Sequence, residues 1–138
     1  MSALVDQIAE LRRMDKEVIL ISSGAVAAGK GEMKECTGLD AVSARQLFSA
    51  VGQIKLMNRY DKFFGGYGLR CGQVLTMKES FSTRRHYLNQ KQCMEVMLEH
   101  GIVPVVNEND TVSVTELMFT DNDELSGLVA TMMGVDVL

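Results

Sequence analysis

Two short aliphatic runs, Val18–Ile21 and Ile102–Val106, constrain the fold of this chain more than any other feature. A strand with one face in water alternates apolar and polar residues, whereas a strand that is apolar throughout is buried on both faces. Each run follows a segment with helical periodicity, and further helical segments lie between them. Strands alternating with helices imply an α/β protein with a mainly parallel sheet, helices on both faces and right-handed crossovers. Ligands of such sheets bind at the carboxyl ends of strands.

The expected order starts with a helix over Ala3–Met14, where Leu4, Ile8 and Leu11 share a face, followed by a strand over Val18–Ile21. Small residues from Ser22 to Gly31 suit a turn into a helix. Apolar residues at three- and four-residue intervals over Ala41–Phe64 predict one long helix or two joined ones, ended by Gly65, Gly66 and Gly68. A strand over Leu69–Leu75, a helix over Ser82–His100 stopped by Gly101, and a strand over Ile102–Val106 come next. Glu124–Met133 reads as a helix, with Asn122 or Asp123 as its cap, and Val135–Leu138 as the opening of a strand. With no repeat or linker composition, residues 1–138 are expected to form a single domain.

Bulk properties narrow the function. The 138 residues carry 14 basic and 18 acidic side chains, a formal charge of −4, without a basic patch, so nucleic acid is not expected as a partner. Cys36, Cys71 and Cys93 fit neither a disulfide framework nor a zinc pattern, which predicts reduced thiols and a cytoplasmic location. The opening segment is not a signal peptide and no run is long enough to span a membrane, so a soluble protein is expected. The ten methionines are read as core filling.

Two loops carry the chemistry. Ser22, Ser23, Gly24 and Ala25 follow a buried strand, and their small size lets backbone N–H groups and a serine hydroxyl face an anion. Such turns are also ordinary structural punctuation, and the G-K-[ST] ending of a Walker loop is absent. Asn107-Glu108-Asn109-Asp110 follows the other aliphatic run, and with Glu116, Asp121, Asp123 and Glu124 it gathers six carboxylates and, with Asn122, three asparagines. Clustered carboxylates at a strand end call for a cation, an ammonium or hydrogen-bond donors, unless the segment is a solvated acidic turn. Calcium-loop spacing is not met. His86 and His100 suit surface and helix-end positions, and Ser43, Gln46, Gln53 and the Arg84-Arg85 pair are assigned no catalytic role.

Four motifs in register carry a resemblance: I-S-S-G-A-V-A-A-G from Ile21, A-V-G-Q from Ala50, G-Q-V-L-T from Gly72, and I-V-P-V-V-N-E-N-D-T-V from Ile102 leading to D-N-D-E-L-S from Asp121. Together they closely resemble the glutamate 5-kinases of the amino acid kinase family, over essentially the whole chain. The resemblance implies a three-layer αβα sandwich around a mainly parallel sheet, incomplete here. It also implies transfer of the ATP γ-phosphate, with Mg²⁺, to the side-chain carboxylate of L-glutamate, giving glutamyl 5-phosphate in the first step of proline synthesis. Ser23, Asp110 and Asn122 match glutamate-binding positions, Gly24 and Ala25 offer backbone donors, and Asp121 and Asp123 are candidate catalytic residues on the same loop. Proline as feedback inhibitor and a homo-oligomer, with the helices of residues 41–64 as candidate interface, are implied as well.

The family pattern also includes a lysine-bearing strand followed by Gly-Ser ahead of the first motif, and a glycine-rich nucleotide-binding half with a second catalytic lysine beyond the last. Neither is in this sequence, which predicts a chain that binds the acceptor without turning over ATP, or a non-catalytic amino-acid-binding module or assembly partner. Thr120 stands where the family has glycine before D-N-D, which is expected to stiffen that loop.

Overall fold

The computed structural model describes residues 1–33, 38–112 and 121–138. The elements run α1 (Ser2–Arg13), β1 (Leu20–Ile21), α2 (Ala25–Glu32), α3 (Ala41–Gly65), β2 (Arg70–Thr76), α4 (Glu79–Ser82), α5 (Arg84–Glu99), β3 (Ile102–Glu108) and α6 (Asn122–Met133). Among the described residues three strands form a parallel sheet in the order β1-β3-β2, with Leu20 opposite Val105 and Arg70 opposite Ile102. The central strand is therefore the last of the three in sequence.

Side-chain alternation along β3 builds two cores. Val103 and Val105 face one side, where Val5 and Ile8 of α1 and Leu56, Tyr60 and Phe64 of α3 pack on them. Val106 faces the other side, against Met94 of α5 and Leu125, Val129 and Met132 of α6. Helices thus cover both faces, which gives the αβα layering of an amino acid kinase-like fold and accounts for the unbroken aliphatic runs. Met94 and Met132 fill the second core, as expected of methionine here, whereas Met14 is exposed.

The long periodic segment forms one continuous helix, α3, of 25 residues. Asp40 starts it, with Oδ1 accepting 3.0 Å bonds from the N–H groups of Val42 and Ser43 and Oδ2 a 2.6 Å bond from the Ser43 hydroxyl. The Ser43 hydroxyl, followed by these N–H groups, holds the Asp40 carboxyl below its ordinary pKa. A lowered folded-state value means that the cap's contribution is present at neutral pH and disappears as pH falls through that value. Asp40→Ala is expected to fray the first turn, seen as faster amide exchange at Val42 and Ser43 with the distal turns unchanged.

Several boundaries differ from the sequence expectation. β1 spans only Leu20–Ile21 rather than Val18–Ile21, although the Ser22 N–H still bonds the Val106 carbonyl at 2.8 Å and prolongs the parallel pattern. β3 continues through Asn107 and Glu108, which pair in register with Leu75 and Thr76, so the first half of the acidic motif is strand rather than loop. The cap of α6 is Asp121, whose carboxylate accepts from the Glu124 N–H at 2.9 Å, and Asn122 is the first helical residue. Val135–Leu138 forms no strand, and Val137 is 86% exposed.

Cys93 is exposed and Cys71 is partly buried, and Cys36 lies outside the described residues. Burial, reinforced by the charge of Asp61, pushes the Cys71 thiol above its ordinary pKa. Because the thiolate is the reactive form, Cys93 is expected to be alkylated well before Cys71 in the folded protein, which mass spectrometry of iodoacetamide-treated samples would resolve. Among the described residues no helix is long and apolar enough to cross a membrane.

Candidate functional site

Residues that leave neighbouring parallel strands in the same direction emerge side by side, about 4.8 Å apart at the strand ends. β1 and β3 are such neighbours, with Ile21 opposite Val106, so the Ser22–Ala25 turn and the Asn107–Asp110 segment form one edge of the sheet. This is the carboxyl edge where open α/β sheets bind ligands.

On the β1 side, Gly24 adopts φ 97°, ψ 7° as it caps α2, a left-handed conformation that glycine takes without strain. Among the described residues no side chain caps this end of α2, which leaves its first N–H groups and the positive end of its dipole facing outward for an anion. Ala25 is buried, while Ser23 is exposed beside the turn. Ser22 rather than Ser23 is the buried hydroxyl, 2.9 Å from the Tyr60 hydroxyl of α3. The two serines therefore divide the work: Ser22 anchors the turn, and Ser23 faces outward.

On the β3 side, Asp110 is 7% exposed. Its Oδ1 accepts from Arg45 Nε at 3.0 Å and Nη2 at 2.6 Å, and Oδ2 lies 3.5 Å from the Ser49 hydroxyl. Arg45 Nη2 is also 3.7 Å from Glu108 Oε2. About two turns beyond Arg45 along α3, Gln53 Oε1 accepts from Asn107 Nδ2 at 3.2 Å, and among the described residues the buried Gln53 Nε2 has no hydrogen-bond partner. Leaving such a donor unpaired costs about 1–3 kcal/mol, a cost that a ligand or water acceptor would remove.

Asp121, Asn122 and Asp123 are exposed at the start of α6. Lys78, two residues beyond β2, bridges to Glu124 in the first turn of α6 at 2.9 Å, which ties this loop to the carboxyl side of the sheet. Among the described residues no hydrogen bond links Asn122 or Asp123 directly to Asp110. Glu116 and Thr120 lie outside the described residues. A concavity of about 390 Å³ opens along β2 and α5, lined by Gln73, Ser80, His86, Asn89, Gln90 and Cys93, and includes neither Asp110 nor the Ser22–Ala25 turn. The buried carboxylate and the uncapped helix end argue for the β1–β3 edge as the site in preference to that shallow groove.

Arg45, Ser49 and Tyr60 were not legible as site residues in the sequence. The signal available was a polar residue every fourth position, Arg45, Ser49 and Gln53, within an otherwise apolar helix face. Among the described residues no three His, Cys, Asp or Glu side chains converge to bind a metal ion. The cations Arg45 and Lys78 at this edge are engaged by Asp110 and Glu124.

These features define an α/β protein in which a buried carboxylate and a helix N-terminus lie side by side at the carboxyl edge of a parallel sheet. The sequence profile of the amino acid kinase family matches residues 1–138. The glutamate 5-kinase of Bacteroides thetaiotaomicron is 67% identical over 138 residues, covering 100% of this chain and 38% of that protein. The glutamate 5-kinase of Chlorobaculum tepidum is 50% identical over 136 residues, 99% of this chain and 38% of its own length, and that of Meiothermus ruber 43% identical over 136 residues, 99% and 36%. This chain belongs to the amino acid kinase family, and it spans under two fifths of the length of these relatives.

Proposed function

We propose that residues 1–138 are the acceptor-binding part of a glutamate 5-kinase, which transfers the ATP γ-phosphate to the side-chain carboxylate of L-glutamate in the proline pathway. The observation that carries this reading is the pairing of opposite potentials on adjacent strands: the buried Asp110 carboxylate beside β3 and the uncapped α2 N-terminus beside β1. A zwitterionic amino acid complements both. Asp110 takes the ammonium, while Ser23, the N–H groups of Gly24 and Ala25, and Asn122 take carboxylate oxygens. Asp121 holds the α6 start in place, and Asp123 belongs to the same loop.

Phosphoryl transfer depends on alignment and charge neutralisation more than on covalent help from side chains. ATP supplies the phosphoryl group and Mg²⁺ offsets its charge; this chain's residues supply the acceptor's position. Proline inhibition, self-assembly and a cytoplasmic location accompany this reading. The full-length protein incubated with ATP, Mg²⁺ and L-glutamate should form an acyl phosphate that hydroxylamine traps as a hydroxamate. N-acetylglutamate, which lacks the ammonium, should give none. Equal trapping with both acceptors, or none with glutamate, would overturn the assignment.

The second reading, a non-catalytic glutamate-binding module, rests on the same pairing of Asp110 with the α2 N-terminus, which needs no nucleotide. The isolated chain is expected to bind glutamate without releasing ADP from ATP.

A further inference from the structure

α3 places Arg45, Ser49, Gln53 and Tyr60 within about 80° of arc on one helix face, given 3.6 residues per turn. Each of these side chains touches a residue at the carboxyl end of β1 or β3: Tyr60 meets Ser22, Gln53 meets Asn107, and Ser49 and Arg45 meet Asp110. The stripe faces the sheet, while Gly52 and the Phe48 backbone pack on α2. One rigid element thus reaches both loops of the candidate site.

Arg45 contacts Asp110 asymmetrically. Both of its donors, Nε and Nη2, converge on Oδ1 instead of spanning the two oxygens as a fork. Among the described residues the hydrogen-bonding contact of Oδ2 is the Ser49 hydroxyl at 3.5 Å, the outer limit for such a bond. A carboxylate gripped by one oxygen keeps acceptor capacity on the other and cannot rotate freely. We infer that Arg45 is a positioning residue for the acceptor amino acid: it locks Asp110 through Oδ1 so that Oδ2 is presented to the substrate ammonium. This rests on the assignment of Asp110 to glutamate binding made above.

If Arg45 works only through Asp110, its loss matters for the amino acid and not for the nucleotide, and it matters only while Asp110 is present. Steady-state kinetics of the full-length protein would read both, with glutamate and ATP saturation measured separately. Arg45→Met is expected to raise the glutamate KM about tenfold to hundredfold, within the upper part of the range of couplings between directly contacting residues. The ATP KM should stay within about twofold and kcat should change little, the pattern of lost ground-state binding. Arg45→Lys, which restores a cation without the paired donors, should recover only part of the loss. The double variant Arg45→Met/Asp110→Asn should have the glutamate KM of Asp110→Asn alone.

A glutamate KM unchanged in Arg45→Met, or a double variant whose defect is the product of the two single defects, would overturn the inference. Should Arg45→Met fail to fold, Arg45→Gln takes its place: a raised glutamate KM supports the positioning role and an unchanged one refutes it. Failure of the underlying assignment looks different. There the wild type would show no glutamate-dependent turnover, or Asp110→Asn would keep the wild-type glutamate KM, and the positioning role would fall with it.

Discussion

Gly52→Ala is expected to destabilise the fold by about 3 kcal/mol or more, the upper end of the cost of overpacking a well-filled interface. α2 and α3 approach so closely that a Cβ on Gly52 would lie 1.8 Å from the Ala25 carbonyl oxygen and 2.4 Å from the Gly29 nitrogen. The reciprocal position is as tight, since a Cβ on Gly29 would lie 1.8 Å from the Phe48 carbonyl oxygen. The obstructing atoms are backbone, which cannot swing aside as a side-chain tip can, so a whole helix must move. The helix that must move starts at Gly24, and displacing it carries the anion-facing turn away from Asp110. Urea unfolding should therefore show a lower midpoint at similar slope, and glutamate binding should weaken in the surviving folded fraction. Gly127→Ala supplies the contrast: among the described residues nothing lies within 4 Å of a Cβ there in the interior of α6, and alanine should stabilise by up to about 1 kcal/mol. Equal midpoints for Gly52→Ala and wild type would contradict the close crossing.

The second large effect concerns binding. Asp110→Asn should weaken L-glutamate binding by the full-length protein about hundredfold, or ~2.7 kcal/mol, as expected for a lost hydrogen bond between charged partners. Asparagine has nearly the shape of aspartate, and the Arg45 side chain keeps Glu108 Oε2 at 3.7 Å and is 41% exposed. Water can solvate that guanidinium, so thermal unfolding should shift by only a few degrees. Glutarate sharpens the test because it keeps both carboxylates and lacks the ammonium. Calorimetric titration should find the variant impaired for glutamate and no worse than wild type for glutarate. A variant that loses both ligands equally would mean that Asp110 shapes the site without contacting the ammonium.

Periodicity revealed the layers well, because burial on both faces leaves an unmistakable mark in Ile102–Val106, and a long amphipathic face does the same in α3. It failed where polar residues are buried by partners distant in sequence. Asn107 and Glu108 look like loop residues, yet they lie in register with Leu75 and Thr76, and Gln53 helps to satisfy Asn107. Composition could not reveal that satisfaction, because the partner is 54 residues away. The same holds for Arg45, whose role is set by the fold bringing it to Asp110, 65 residues on. Val135–Leu138 erred in the opposite direction: alternating valines suggest a strand, but a strand also needs a neighbour to accept its hydrogen bonds. The choice among Asp121, Asn122 and Asp123 as cap was settled by backbone geometry, since Asp121 alone of the three is extended and precedes the helix.

The strand order β1-β3-β2 also governs how the protein can be made. β1 and β2 both pair with β3, which is translated after them, and Leu20 finds its partner Val105 only 85 residues later. At typical elongation rates of 5–20 residues per second, β1 waits roughly 4–17 s for that partner. Until β3 emerges, α1 and α3 lack the Val103 and Val105 side chains that they cover in the finished fold. Nascent chains stalled before residue 102 should therefore be more protease-sensitive over residues 1–101 than chains stalled after Glu108 has cleared the exit tunnel.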